Sequence, residues 1–174
     1  MSLFISLSEE HSLLLHIVGR LERGAADPDP RAADRETRNT LLVLLNALEL
    51  HESLERLVFD SIPEMTSPAG EQARRLIAGQ HAVLTRVRDE ARRALTEAPR
   101  SDSVAVQGVA KRLAHLLRRH FEDEERKLWP GFNACAQRST LSRLSRLASE
   151  HLKTMTRELD LYWLASSDYM TIDR

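Results

Sequence analysis

Six residues have the types and spacing to do chemistry together: His11, His51, Glu55, His81, His120 and Glu124. His120 and Glu124 stand four apart in the stretch HFEDEERKLWP, and His51 and Glu55 stand four apart in HESLERLVFDSIP. On a helix that spacing puts an imidazole and a carboxylate one turn apart on the same face, where both can reach one metal ion. A single pair is weak evidence, because His and Glu often meet at this spacing. Two pairs, each on a long helical stretch that runs into a proline, are harder to set aside.

The remaining histidines turn the pairs into a pattern. His11 to His51 is 40 residues and His81 to His120 is 39; His11 to His81 is 70 and His51 to His120 is 69. The chain reads as two copies of one unit, a lone His on a first helix followed by H-x-x-x-E on a second. His151 follows His81 by 70 residues, in the phase of a third first helix, and SEEHSLLL, AGQHAVL and ASEHLKT look alike. Such an internal repeat fixes architecture before any single element does. Its pseudo-twofold symmetry would give each of two metals two imidazoles, with both carboxylates bridging. With a hydroxide also bridging, each ion keeps open positions. Two divalent ions a few Å apart need anionic bridges, which is the physical reason to cluster acids, and the donor set suits iron, manganese or zinc. Taken singly, each residue reads as well as a core histidine or a solvated glutamate. Taken together, six such groups on otherwise apolar faces would be costly to bury without a partner.

The elements that must position them are all helices, and no strand pattern appears. The first helix is predicted from near Ser6, with Ser6 and Glu9 as a capping box and Leu7, His11, Leu14, Leu15 and Val18 on one face. Gly24 and DPDP end it. The second is predicted over 31–61, with Leu41, Leu44, Leu45, Leu48, His51, Glu55, Val58, Phe59 and Ile62 inward and Pro63 as its stop. Ser67 and Pro68 open the third, which turns Ile77, His81, Leu84 and Arg88 inward and breaks at Pro99. The fourth is predicted over 103–129 and ends at Pro130 and Gly131, with Val109, Leu113, Leu116, Leu117, His120, Glu124 and Leu128 inward. A fifth covers about 139–165 and carries Leu144, Leu147, Ala148, His151, Met155, Leu159 and Tyr162; the polar tail from Ser166 frays. Four helices that each turn a His inward make an antiparallel, up-down four-helix bundle over about 7–131 with ligands meeting at its centre. The additional C-terminal helix packs outside or caps it.

Composition sets bounds. A chain of 174 residues with 42% apolar content supports one domain, 1–174, with a real core. A net charge of −1 gives no reason to expect nucleic acid or membrane as a partner. No signal peptide or spanning run is visible, and a single cysteine, Cys135, excludes an internal disulfide and suits the cytoplasm. Other residues read more blandly. Glu52 is rotated about 100° from His51 and belongs to the rim. Arg88 lies where it could pair with a bridging acid. His16 and His115 are off-face, Tyr162 and Trp163 are packing residues, and nothing marks Cys135 as reactive. His151 is by default a packed histidine, with a ligand or pocket role as the alternative.

Over residues 7 to 131 this pattern resembles the hemerythrin-like, or HHE cation-binding, domains, whose signature is H…H-x-x-x-E…H…H-x-x-x-E on four antiparallel helices. His11, His51 with Glu55, His81, and His120 with Glu124 match it position by position. The run HFEDEERKLWPGF is similar to the family's acidic residues and proline after the last pair. The resemblance implies two irons per chain, bridged by carboxylates and an oxo or hydroxo group, and a small ligand: O₂, nitric oxide or peroxide. The chain departs from the oxygen carriers. Those use two histidines four apart on the third helix, where this chain has Ile77 and His81, and they end with His and Asp five apart, where it has His120 and Glu124 four apart. Four histidines leave both irons short of ligands, which argues against reversible O₂ storage and for sensing or redox chemistry. The function expected is that of a di-iron protein that binds or senses a diatomic or peroxide, with a protein partner if it signals. The alternatives are a small peroxide- or nitric-oxide-handling oxidoreductase and a metal-free helical interaction bundle. Whether the protein is an enzyme stays open, and no catalytic residue is assigned.

Overall fold

The computed structural model describes residues 2–24, 29–61, 68–97 and 103–169, without the side chains of 68–70, 73, 103, 135 and 161–169. The expected roles of Ile62, Pro63, Ser67, Pro99, Tyr162, Trp163 and the Cys135 thiol lie outside the described residues.

Ser2, not Ser6, opens the first helix. Helix α1 runs Leu3–Gly24, and the Ile5 N–H donates to the Ser2 hydroxyl at 3.4 Å, the bond expected of an N-cap. Ser6 lies a turn inside and is fully buried, its hydroxyl 3.4 Å from that of Ser149. The capping-box reading failed because a second serine stood four residues upstream, where the chain could still turn. Helix α2, Pro30–Ser61, starts with Asp29 accepting from the Arg31 N–H at 3.0 Å and Pro30 at the first helical position, where its missing N–H costs nothing. Helix α3 is Pro68–Glu97 and α4 is Ser103–Asp123.

Pro130 and Gly131 do not end the fourth helix. Glu124–Leu128 form a turn of π-helix, closed by the Trp129 N–H to the Glu124 carbonyl, and helix α5 continues from Trp129–Cys135 with Pro130 in its first turn. The wider π turn uses the Glu124 carbonyl five residues ahead and restarts the helix just before the proline, which is tolerated in a first turn. Helix α6, Arg138–Tyr169, continues beyond Ser166, where the sequence predicts that the tail begins to fray. No described helix is long and apolar enough to cross a membrane.

Cross-helix pairs give the directions. Arg88 reaches Glu52, Arg92 reaches Glu49, and Arg74 reaches the Phe59 carbonyl, so α2 and α3 run antiparallel. Arg20 to Glu36 and His51 to Glu10 show the same for α1 and α2; Gln80 to Asp123 and Arg112 to Glu90 show it for α3 and α4. Arg118 to Glu22 and Ser8 to Glu125 close the ring between α4 and α1. Helix α6 lies outside, along α1 and α2, with Arg143 bonded to Ser61 and His151 near Ser53.

Two apolar clusters fill the interior. One is built around Leu14, Leu44, Leu48, Leu84, Leu113, Leu117, Phe121 and Met155, the other around Leu7, Leu54, Val58, Ile77, Leu128, Phe132 and Leu144. Helices α1, α2, α3 and α6, and α4 together with the π turn and α5 that continue it, contribute to both clusters on either side of one histidine, so His11, His51, His81, His120 and His151 share a polar layer between the clusters. Leu147, predicted inward on α6, is 38% exposed, because the inward face of this helix follows Leu144, Ala148, His151 and Met155 instead.

Glycine placement gives a test of this packing. A Cβ on Gly24 would come within 2.7 Å of Glu36 Cγ and 3.3 Å of its Cβ, whereas nothing lies within 4 Å of a Cβ on Gly108. Gly108→Ala should therefore stabilise by about 0.5–1 kcal/mol through lost chain entropy. Gly24→Ala should forfeit that gain and lower the urea midpoint, since Glu36 must leave Arg20 and Thr40. Equal gains from both would mean that α1 and α2 are not in close contact there.

Candidate metal centre

The structure brings the six sequence-predicted residues together at the centre of the layer. His11, His51, Glu55 and Glu124 form one group whose donor atoms all lie within 4.8 Å of one another, and Glu55, His81, His120 and Glu124 form a second. The two carboxylates belong to both groups. Glu124 Oε2 is 3.4 Å from His11 Nε2, while its Oε1 is 3.5 Å from His120 Nε2 and 3.9 Å from His81 Nε2. Glu55 Oε1 is 3.2 Å from His51 Nε2, and its Oε2 is 3.4 Å from His81 Nε2. Each carboxylate thus offers one oxygen to each histidine pair, the disposition of a bridging ligand.

The donors fit a cation. His11 Nε2, His51 Nε2, Glu55 Oε2 and both Glu124 oxygens are buried with no hydrogen-bond partner. Orphaned polar atoms of this kind are rare in folded proteins and call for an explanation. A cation that takes all of them as ligands supplies one.

Outer partners fix how the rings present themselves. The His11 Nδ1–H donates to Glu125 at 2.9 Å, His51 Nδ1–H to Glu10 at 3.1 Å, and His120 Nδ1–H to the Gln80 carbonyl oxygen at 3.0 Å. A proton held on Nδ1 turns Nε2 inward as the donor atom; that of His120 also meets His81 Nε2 at 3.2 Å. The Gln80 amide is itself oriented, because its N–H group donates to Asp123 at 2.6 Å. His11 is also clamped between aromatic rings, stacked 4.1 Å from Phe121 and 4.9 Å from Trp129, centroid to centroid. Among the six, His81 is the open member at 30% exposure, while the side chains of the others are no more than 5% exposed.

Without a cation the electrostatics conflict. Burial, reinforced by Glu55 alongside, pushes Glu124 well above the usual carboxylate range. Glu55 is also buried, yet His51 holds it well below that range. Burial likewise opposes a charge on His51, but Glu55 and Glu10 outweigh it and carry His51 up to about 10. Burial lowers His11, helped by His51, and takes His120 down to about 4. The pair of carboxylates resists carrying two charges at once, and a divalent ion between them removes that resistance.

The sequence reading missed Glu10, Gln80, Asp123 and Glu125. A signal existed for two of them: Glu10 and Gln80 each precede the lone His of their repeat, in SEEH and AGQH. His151, in repeat phase, is not among the grouped donors. Its Nδ1–H donates to Glu10 at 3.0 Å, so it touches the centre through a carboxylate that also holds His51. No fifth histidine ligand therefore comes from α6, and Ile77 is packed in the apolar cluster. Arg88 bonds Glu52 at 2.6 Å rather than a bridging acid. His16 and His115 are exposed, as expected.

The fold and the donor set define a helical-bundle cation-binding domain. A family model described as the hemerythrin HHE cation binding domain matches residues 3–131 and, a second time, residues 72–168. The chain belongs to the hemerythrin HHE cation-binding family. The second match starts in α3 and ends in α6, one repeat unit later than the first, in keeping with the histidine period. Comparison with curated proteins and with solved structures gave no match.

The pKa directions set the pH behaviour of the metal-free protein. His120 sits near 4 in the fold against an ordinary 6.5, so the stability it contributes is whole above pH 6.5 and is lost as pH falls toward 4. A depression of that size corresponds to about 3 kcal/mol. His51, raised to about 10, contributes stability that is whole below pH 6.5 and is lost as pH rises toward 10. The urea midpoint of chelator-treated protein should therefore peak near neutrality, and His120→Gln should flatten the acid limb. An acid limb unchanged in that variant would show that His120 is not held neutral by burial.

Proposed function

We propose that the chain is a non-haem di-iron protein that binds or senses O₂, nitric oxide or peroxide. The observation that carries the reading is the convergence of four imidazole Nε2 atoms and two shared carboxylates, in two groups, inside a buried layer. Mixed imidazole and carboxylate donors suit iron, and zinc or manganese are the competing occupants. His11 and His51 would hold one iron and His81 and His120 the other, with Glu55 and Glu124 spanning both. Bound iron supplies redox-active open positions for a small ligand. The protein's part is to orient the rings through Glu125, Glu10 and Gln80 and to exclude water with Phe121, Trp129 and the apolar clusters. It also limits access, since only His81 among the six is appreciably exposed, and a ligand of a few atoms fits that constraint best.

Ligand counting favours sensing or turnover over storage, because four histidines leave both irons with open positions. In a sensor a protein partner would read the state of the centre; the rival reading within the same site is a peroxide- or nitric-oxide-handling oxidoreductase. A cytoplasmic setting belongs to the proposal and rests on the single cysteine.

Metal content per chain, measured with an absorption spectrum on aerobically purified protein, tests this first. About two irons should be found, with near-ultraviolet charge-transfer bands that vanish in Glu55→Ala and Glu124→Ala while helical content persists. Two zincs or manganese would keep the site and overturn the redox function; no uptake of ferrous iron under anaerobic conditions would sink the di-iron reading. A steady-state peroxide or nitric oxide assay then separates enzyme from sensor, and a stable, reversible oxy spectrum would reinstate storage.

A further inference from the structure

The two halves of the repeat are not backed alike. Glu10 and Gln80 occupy equivalent positions, each just before the lone histidine of its unit, and each accepts from the Nδ1–H of the H-x-x-x-E histidine on the next helix. In the first half that acceptor is a carboxylate; in the second it is a neutral amide. Glu10 is fully buried and both its oxygens are taken by imidazoles, Oε2 by His51 at 3.1 Å and Oε1 by His151 at 3.0 Å. Gln80 is turned by Asp123 so that its carbonyl oxygen, the weaker acceptor, faces His120.

From this difference we infer that the two cation positions are unequal, the His11/His51 position being the tighter because Glu10, clasped by His151 of α6, backs His51 where only Gln80 backs His120. The inference rests on the cation-binding reading above. A carboxylate on Nδ1–H draws the proton away from the ring and makes Nε2 a stronger donor; loss of such a partner commonly weakens metal binding about 10- to 100-fold. An amide does this less. His11 adds to the asymmetry, since its Nδ1–H also meets a carboxylate, Glu125, although that side chain is 42% exposed and screened by water. Exposure points the same way: His11 and His51 are 1% exposed and His81 is 30% exposed. The first ion therefore enters the sealed position that α6 completes. The second occupies the position that exchanges with solvent. Helix α6 is thus a working part of the centre, and Glu10 and His151 are positioning residues that act through His51.

Anaerobic calorimetric titration of the full, metal-stripped chain with ferrous iron tests this. The wild type should bind two ions in steps separated by at least about tenfold. Glu10→Gln should weaken the first step by about 10- to 100-fold and merge it with the second, and His151→Phe should weaken it less. The converse change is Gln80→Glu, made with Asp123→Asn so that no acceptor opposes the new carboxylate; it should tighten the second step. His120→Ala should keep a tight step and His51→Ala should lose it. Two equal steps in the wild type would overturn the inference and leave the cation-binding reading intact. An unchanged first step in a helical Glu10→Gln variant would do the same. If Glu10→Gln does not fold, the Gln80 pair decides, and a second step that fails to tighten counts against the inference. No uptake by the wild type would overturn the cation-binding reading and this inference with it.

Discussion

Two glutamates and three histidines buried in the middle of an apolar bundle are the constraint around which the rest of this protein is arranged. Stripping an ionised carboxylate of water costs several kcal/mol even after relaxation, and Glu55 and Glu124 are both buried with orphaned oxygens. His51, held protonated, answers the charge on Glu55, and Glu124 is left holding its proton against the usual carboxylate preference. The layer makes sense when a cation is counted among its parts. The apolar clusters on either side then have a second role besides stability. They keep water away from the buried carboxylates, and they hold the helices close enough for the two carboxylates to face both histidine pairs.

The surrounding contacts serve the same layer. Phe121 and Trp129 grip His11 on both faces, and each of His11, His51 and His120 is turned by an acceptor on its outer nitrogen. The π turn at Glu124–Leu128 begins at a shared carboxylate and lets the chain continue through Pro130, so that Leu128, Trp129 and Phe132 all pack beneath the site. Such turns cost hydrogen-bond quality and are often found at functional positions.

The repeat explains both the symmetry of the site and its limits. Two units bring two sets of His, His and Glu to one centre, which is why each carboxylate faces both sets. Outside that inner ring the copies diverge. The third phase of the repeat supplies only α6 and His151, and α6 covers α1 and α2 while leaving α3 and α4 without an equivalent. One half of the centre is therefore sealed by an extra helix, and the other is open at His81.

Much of this was legible in the chain alone. The histidine period and the two H-x-x-x-E pairs picked out the six side chains that the structure gathers in the central layer, because residues that share a helix face must obey the 3.6-residue turn and so leave a trace in spacing. The apolar stripes gave the five long helices for the same reason, though not the π turn and short α5 that extend the fourth. Their ends were less legible: Ser6 looked like a cap and Pro130 like a stop, yet capping depends on which competing serine the chain uses, and a proline is tolerated wherever the preceding turn frees it of a hydrogen bond. Glu10 and Gln80 left only the trace of standing before the lone histidine of each repeat, and Glu125 left none, because their partners are 41, 40 and 114 residues away in sequence. Spacing along one helix says which residues share a face. Which face meets which, and so what stands behind each inward histidine, was decided only when α1, α2, α3, α4 and α6 packed together.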